Sequence, residues 1–193
     1  MTLLYNIART LQRRRNSTWH ALGYDTKVRP ETEADVDAVN RLTQTAFNGS
    51  AEVQLINTLR HYPDDCISLV AEQHGQIVGH ILFSAARLDS ASELPLMALA
   101  PMAVSDVLQH QGIGSALVRA GLERCKKRGA AAVVVLGHAR YYPRFGFCPA
   151  SKHSIDCPWQ VPEENFMLLE LKAGALQGKS GRVQYHPAFD SLL

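Results

Sequence analysis

The feature that most constrains this chain runs from residue 94 to 129: an apolar run, LPLMALAPMAV, then SDVLQHQGIGSALV, then a helical pattern ending in KKRG. A strand, a glycine-bearing turn and a helix start in succession predict a mixed α/β layer protein, with the helix folded back on its own sheet. Gly112 and Gly114 fall at the helix start, where backbone N–H groups converge and the dipole adds about half a positive charge. A phosphate is one occupant for that place. Two other readings stay open: a tight turn, or closer approach of the helix to its sheet. The helix spans Gly112 to Arg128 and turns Ile113, Leu117, Ala120, Leu122 and Cys125 mostly inward. It ends on Lys126, Lys127, Arg128 and then Gly129, as the dipole and the C-terminal cap require.

Pro101 interrupts the apolar run that precedes the loop. Proline donates no ladder hydrogen bond and is confined to sheet edges or bulges. A run this apolar is a poor edge, so either the strand bulges near Pro101 or it begins only at Met102. A bulge would part it from the next apolar strand, AAVVVL at 131–136, and leave backbone groups free to bind in the cleft between them.

The rest of the chain supplies layers for that centre. Val28 and Arg29 form a short strand, and residues 30–47 read as a helix with an acidic first turn and Thr32 as its cap. A second helix covers about 51–61, with Val53, Ile56 and Leu59 at helical spacing. ISLVAEQ, HGQ and IVGHILFSA make a hairpin about a glycine turn, and FMLLELK at 166–172 is a further strand. There are no internal repeats, and residues 27–193 read as one domain. Residues 1–26 are a basic N-terminal tail or helix without a catalytic role; their arginines and lack of acids before Asp25 are also those of a targeting presequence.

Charge and composition exclude several classes. The net charge of +2 hides an asymmetry: residues 1–29 hold Arg9, Arg13, Arg14, Arg15, Lys27 and Arg29 against Asp25 alone, so the remainder is slightly acidic. Such a body, without a basic stripe, predicts no nucleic-acid partner. No apolar run approaches the roughly 20 residues needed to span a bilayer, so no membrane role is expected. Cys66, Cys125, Cys148 and Cys157 form no C-x-x-C pair, which fits reduced thiols and a cytoplasmic location. Cys148, His153 and Cys157 match no zinc spacing and lack a fourth ligand, so no metal is expected.

Three phosphate-binding patterns can be set against the loop. A P-loop needs a lysine and a hydroxyl residue after its second glycine, but Ser115 and Ala116 stand there. A dinucleotide fingerprint needs a third glycine where Leu117 stands, and an acid after the following strand. The pattern Q/R-x-x-G-x-G/A is met by Gln109, Gly112 and Gly114, directly after a strand and ahead of an amphipathic helix.

With that loop in place, the chain resembles the GNAT superfamily of N-acetyltransferases, and within it the YhbS-like branch. APMAVSDVLQHQGIGSALV and AAVVVLGHARYYPRFGF carry the resemblance. AFNGSAEVQLINTLR upstream and FMLLELKAGALQGKSGRVQYHPAF downstream extend it from about residue 27 to the last residue. It implies an α/β fold: a mixed, mostly antiparallel sheet with a central splayed pair of parallel strands and helices on both faces. It implies acetyl-CoA as cosubstrate. The pyrophosphate would lie on backbone N–H groups of Gln109, His110, Gln111, Gly112, Ile113, Gly114 and Ser115, and the pantetheine amides would pair with Met102, Ala103 and Val104. Backbone donors of the splayed strand would support an oxyanion, each worth about 3 kcal/mol.

The family's acid for the departing thiolate is a tyrosine four residues before the glycine of a G-F pair. In YYPRFGF that is Tyr142, ahead of Gly146 and Phe147; the other reading is that Tyr142 only packs against the cofactor. For the base, Glu52 on the second helix comes first, then His80 and His138. Each has a structural alternative, Glu52 as a solvated helix residue and His80 as a satisfied core histidine. Phe47, Glu52, Tyr141 and residues 157–166 would wall the acceptor pocket. The implied reaction is acetyl transfer to an amine of a small molecule or peptide. The alternative is a non-catalytic acetyl-CoA sensor or regulatory module. The resemblance also allows a homodimer.

Overall fold

The structure is a computed structural model and describes residues 26–192. Apart from Thr26, the basic segment 1–26 therefore lies outside the described residues. Nine strands are present among them: β1 (Lys27–Pro30), β2 (Cys66–Gln73), β3 (Gln76–Leu88), β4 (Ala91–Val104), β5 (Ala132–Leu136), β6 (Cys148–Pro149), β7 (Ile155–Asp156), β8 (Phe166–Glu170) and β9 (Gly181–Gln184). The helices are α1 (Val36–Phe47), α2 (Ala51–Leu59) and α3 (Ile113–Lys127). The main sheet runs β1-β2-β3-β4-β5-β8-β6, and β9 joins the far end of β3. Neighbours along this path are antiparallel except β4 and β5. His74 and Gly75, both at positive φ, close the two-residue turn between β2 and β3.

Strand alternation gives the sheet two apolar faces. On one, α3 lays Ile113, Leu117, Val118 and Cys125 on Leu69, Ile81, Phe83, Leu99, Val133 and Val135. On the other, α1 and α2 bring Val39, Leu55, Ile56 and Leu59 onto Val70 and Leu82. Each large side chain removed from water contributes roughly 1.5–3 kcal/mol. The inward stripe of α3 differs from its sequence reading: Val118 and Gly121 are buried, while Ala120 and Leu122 are only partly covered. Gly121 is inward because the Phe83 ring lies directly on it; a Cβ there would stand 2.1 Å from Cε2.

The start of α1 is held by charge. Its helical pattern opens as a short turn, Glu33–Asp35, and continues as α1. The Asp35 carboxylate accepts the Thr32 backbone N–H (2.8 Å) and hydroxyl (2.8 Å) and is forked by Arg29 at 2.6 and 2.8 Å. Arg29 also donates to Glu72 (2.7 Å), tying β1 to α1 and β2.

Nearby, a buried network joins four stretches of the chain. Glu31 accepts from Arg60 and from the Ser68 hydroxyl, and Ser68 bonds His80 Nε2 at 2.8 Å. Burial pushes the Glu31 carboxyl up, but His80, the Ser68 hydroxyl and Arg60 pull it down harder, to about 2. Its folded pKa is thus below its unfolded value. The stability it contributes is complete above pH ~4.5 and is lost as pH falls towards 2. A Glu31→Gln variant should therefore show a flatter melting temperature between pH 5 and 2 than the parent, read by thermal denaturation across that range.

Candidate active site

β4 positions the site. Its register against β3 slips between Ile81 and Phe83: Ile81 pairs with Met102 and Phe83 with Leu99, leaving Ala100 and Pro101 opposite Leu82 alone. This is the bulge, and the strand runs continuously through it; the Ala100–Pro101 peptide bond is cis. On its other side, β4 pairs with β5 only from Leu96 to Leu99. Beyond Leu99 the two parallel strands separate. Ser105 N–H donates to the Val78 carbonyl (2.9 Å), so by antiparallel alternation Ala103 bonds towards β3, and the backbone groups of Met102 and Val104 face the gap. Gln109 Nε2 reaches the Val104 carbonyl from that side (3.3 Å).

The glycine loop closes one end of the gap. Gly112 is the N-cap of α3 with φ 91°, and no side chain caps the helix. His110 also lies at positive φ, 65°. The first intrahelical bond is Ala116 N–H to the Gly112 carbonyl (2.9 Å), so the N–H groups ahead of it lack helical acceptors and can hold an anion. Gly114 is where chain must meet chain: a Cβ there would stand 2.8 Å from the Tyr141 hydroxyl.

A cavity of about 730 Å³ opens between these parts. Of the residues expected at the cofactor, Met102, Val104, Gln109, His110, Gly112, Gly114 and Ser115 line it. Ala103 and Ile113 do not; both side chains are buried, Ile113 in the core under α3. Gln111 is exposed and donates to the Val107 carbonyl (3.3 Å). Sequence reasoning missed Arg140 and Arg144, which also line the cavity; Asn165, within the segment read as acceptor wall, lines this cavity instead. The signal was two arginines flanking a tyrosine pair in HARYYPRFGF. Arg144 lies over the Tyr141 ring, 4.7 Å from its centroid.

The tyrosines divide differently from expectation. Tyr141, read as acceptor wall, lines this cavity instead, and its hydroxyl bonds Ser115. Tyr142 is 5 % exposed and packs edge-on to Tyr141 and Phe147, at 5.1 and 5.6 Å between centroids. Its ring covers Gly137, just past the end of β5, so closely that a Cβ there would stand 2.4 Å away. Burial, with Tyr141 adding to it, pushes the Tyr142 hydroxyl well above its ordinary value, and the phenol keeps its proton.

Three base candidates stand in three places. Glu52 lies on the opposite face of the sheet, on the buried side of α2 with Leu55, Ile56 and Leu59. It is 4 % exposed rather than solvated, and burial pushes its carboxyl up against the pull of its own backbone N–H. His80 is fully buried in the Glu31 network, where burial keeps it neutral. His138 lines the cavity with Nε2 buried and without a hydrogen-bond partner among the described residues. Burial lowers its pKa, leaving a neutral imidazole.

These features fit an acyl-CoA. The uncapped helix start and two arginines suit its phosphates, the freed groups of Met102 and Val104 suit its amides, and the orphaned His138 nitrogen lacks only a partner. Among the described residues no group of three His, Cys, Asp or Glu gathers as a metal site. No helix there is long and apolar enough to cross a membrane, and all four cysteines are free.

Residues 27–150 match the family described as Acetyltransferase (GNAT) domain. A protein of Escherichia coli (strain K12) named as the uncharacterized N-acetyltransferase YhbS is 34% identical over 164 residues, 84% of this chain and 98% of that protein. The crystal structure of the E. coli GNAT family N-acetyltransferase YhbS in complex with CoA matches with TM-score 0.82 and 32% identity, covering 90% of this chain and 96% of the other. A GNAT family acetyltransferase from Brucella melitensis, crystallised with acetyl-CoA, matches with TM-score 0.71 and 31% identity over 86% of this chain and 99% of its own.

Proposed function

Because the chain belongs to the GNAT family of acetyltransferases, we propose that it moves an acetyl group from acetyl-CoA to a primary amine of a small molecule or peptide, the amine attacking directly in a ternary complex. The observation that carries this reading is one cavity bounded both by the uncapped start of α3 and by the freed backbone of Met102 and Val104. Acetyl-CoA, when bound, supplies a thioester carbonyl and a thiol leaving group.

The chain's own residues do the rest. Backbone N–H groups from Gly112 to Ser115, with Arg140 and Arg144, hold the phosphates. Met102 and Val104 pair the pantetheine amides in the manner of an added strand and direct the thioester into the gap. Their N–H groups support charge on the carbonyl oxygen. Tyr142 keeps a proton for the departing sulfur. Glu52, its affinity for a proton raised by burial, takes one from an amine arriving on the α1–α2 face. In this reading residues 27–193 form the transferase unit, residues 1–26 take no part in the chemistry, and the enzyme works in the cytoplasm.

Calorimetric titration tests the core of it. Acetyl-CoA should bind with a Kd on the order of micromolar and NADH should not bind. A Gly114→Ala variant should bind acetyl-CoA at least about tenfold more weakly, because the added methyl meets the Tyr141 hydroxyl at the cavity floor. Binding of neither ligand, or of NADH alone, would overturn the proposal.

A further inference from the structure

The face of the sheet opposite the cofactor cavity holds an unexplained polar atom. Tyr185 follows β9 and touches both apolar clusters of that face: the one under α1 and α2, and the one formed by Ala98, Val134, Phe166 and Leu168. It therefore lies across the middle of the sheet, on the side where Ala100, at the bulge, also packs. The ring is wedged between Trp159 (4.6 Å between centroids) and Phe189 (5.0 Å). Its hydroxyl is buried and has no hydrogen-bond partner among the described residues. Burial, and then the nearby Cys157, push it well above the ordinary tyrosine value, so it stays a phenol. A buried hydroxyl left unpaired is costly, and phenylalanine would fill the same space without that cost. The group makes sense where something arrives to meet it.

We infer that Tyr185 is an acceptor-positioning residue, its hydroxyl bonding a polar atom of an amine whose flat apolar body lies against Trp159. The inference rests on the acetyl-transfer reading above and extends it to the class of acceptor. Trp159 is half-buried and its neighbours Cys157 and Val161 present no charge, so the surface selects for a planar apolar group. A polyanion finds no match there. The bulge gives this face its access: β4 and β5 part just beyond Leu99, so an amine seated against Tyr185 and Trp159 approaches the gap from the side opposite the cofactor cavity.

Steady-state acetylation of 2-phenylethylamine and n-butylamine, with acetyl-CoA titrated calorimetrically in parallel, tests it. The parent should favour 2-phenylethylamine by at least about tenfold in kcat/KM. Tyr185→Phe should raise KM for 2-phenylethylamine about tenfold, leave kcat and the Kd of acetyl-CoA within about twofold, and melt at the same temperature or higher. Trp159→Ala should raise KM for 2-phenylethylamine and not for n-butylamine. An unchanged KM in Tyr185→Phe, a preference for n-butylamine, or a parent that binds acetyl-CoA yet acetylates neither amine would each overturn the inference. A parent that does not bind acetyl-CoA would instead remove the transfer reading, and the inference with it.

Discussion

A Tyr142→Phe variant is expected to turn over about 100-fold more slowly than the parent, the low end of what a positioned general acid contributes. Its Kd for acetyl-CoA should stay within about twofold. The substitution is clean because the ring, not the hydroxyl, makes the packing: Gly137 lies under it and Phe147 and Tyr141 meet it edge-on. Phenylalanine keeps all three contacts and removes only the proton donor. Burial holds the phenol above its ordinary value, so the parent's pH–rate profile should show no basic limb from this residue below pH ~10. Single-turnover kinetics beside calorimetry decide the matter. Normal turnover in the variant would reduce Tyr142 to a packing residue, and a large rise in Kd would mean that the hydroxyl binds the cofactor.

The largest loss of stability is expected from Gly121→Ala. Alanine is the better helix former by about 1 kcal/mol, and on an exposed face the change would stabilise. Here the new methyl would overlap the Phe83 ring, with 2.1 Å to Cε2 and 2.5 Å to Cζ, and Phe83 is wholly buried between sheet and helix. A ring with no exposed surface can yield only by displacing packed neighbours. We expect a net loss of about 1–2 kcal/mol, or a melting temperature lower by roughly 2–8 °C for a chain of this size. Adding Phe83→Leu should restore part of that loss, which a double-mutant cycle would register. Equal melting temperatures for Gly121→Ala and the parent would show that α3 does not depend on this close approach.

The parts legible in the sequence were those determined by neighbouring residues. Gly112 announces a positive φ and a helix start within a few positions. Pro101 cannot donate to a ladder, which narrowed that stretch to a bulge or a strand beginning at Met102, and the register of β4 against β3 decides for the bulge. The hairpin at His74–Gly75 and the apolar strands follow from the same short-range logic. What escaped depends on residues far apart in the chain. The period of α2 suggested Val53 beside Ile56 and Leu59, whereas Glu52 and Leu55 take the buried side because the turn at Pro187–Leu192 packs beneath the helix. The Glu31, Arg60, Ser68 and His80 network draws on four separate stretches of the chain, and no local pattern links them. Arg140 and Arg144 look like ordinary surface charges until the segment after β5 folds over the helix start.

The bulge of β4 makes the sheet a partition with a single slot. One side of the slot is built from the loop before α3 and the segment after β5. The other is built from α2 and the segments that follow β7 and β9. The two sides share the strand, with Leu99, Met102 and Val104 packed on the α3 face and Ala98 and Ala100 on the other. Such a wall lets one side be rebuilt without disturbing the other. On the acceptor assignment proposed above, a lineage could exchange the amine that enters from behind while the front stays as it is, and an engineer could do the same by working on residues 157–161 and Tyr185.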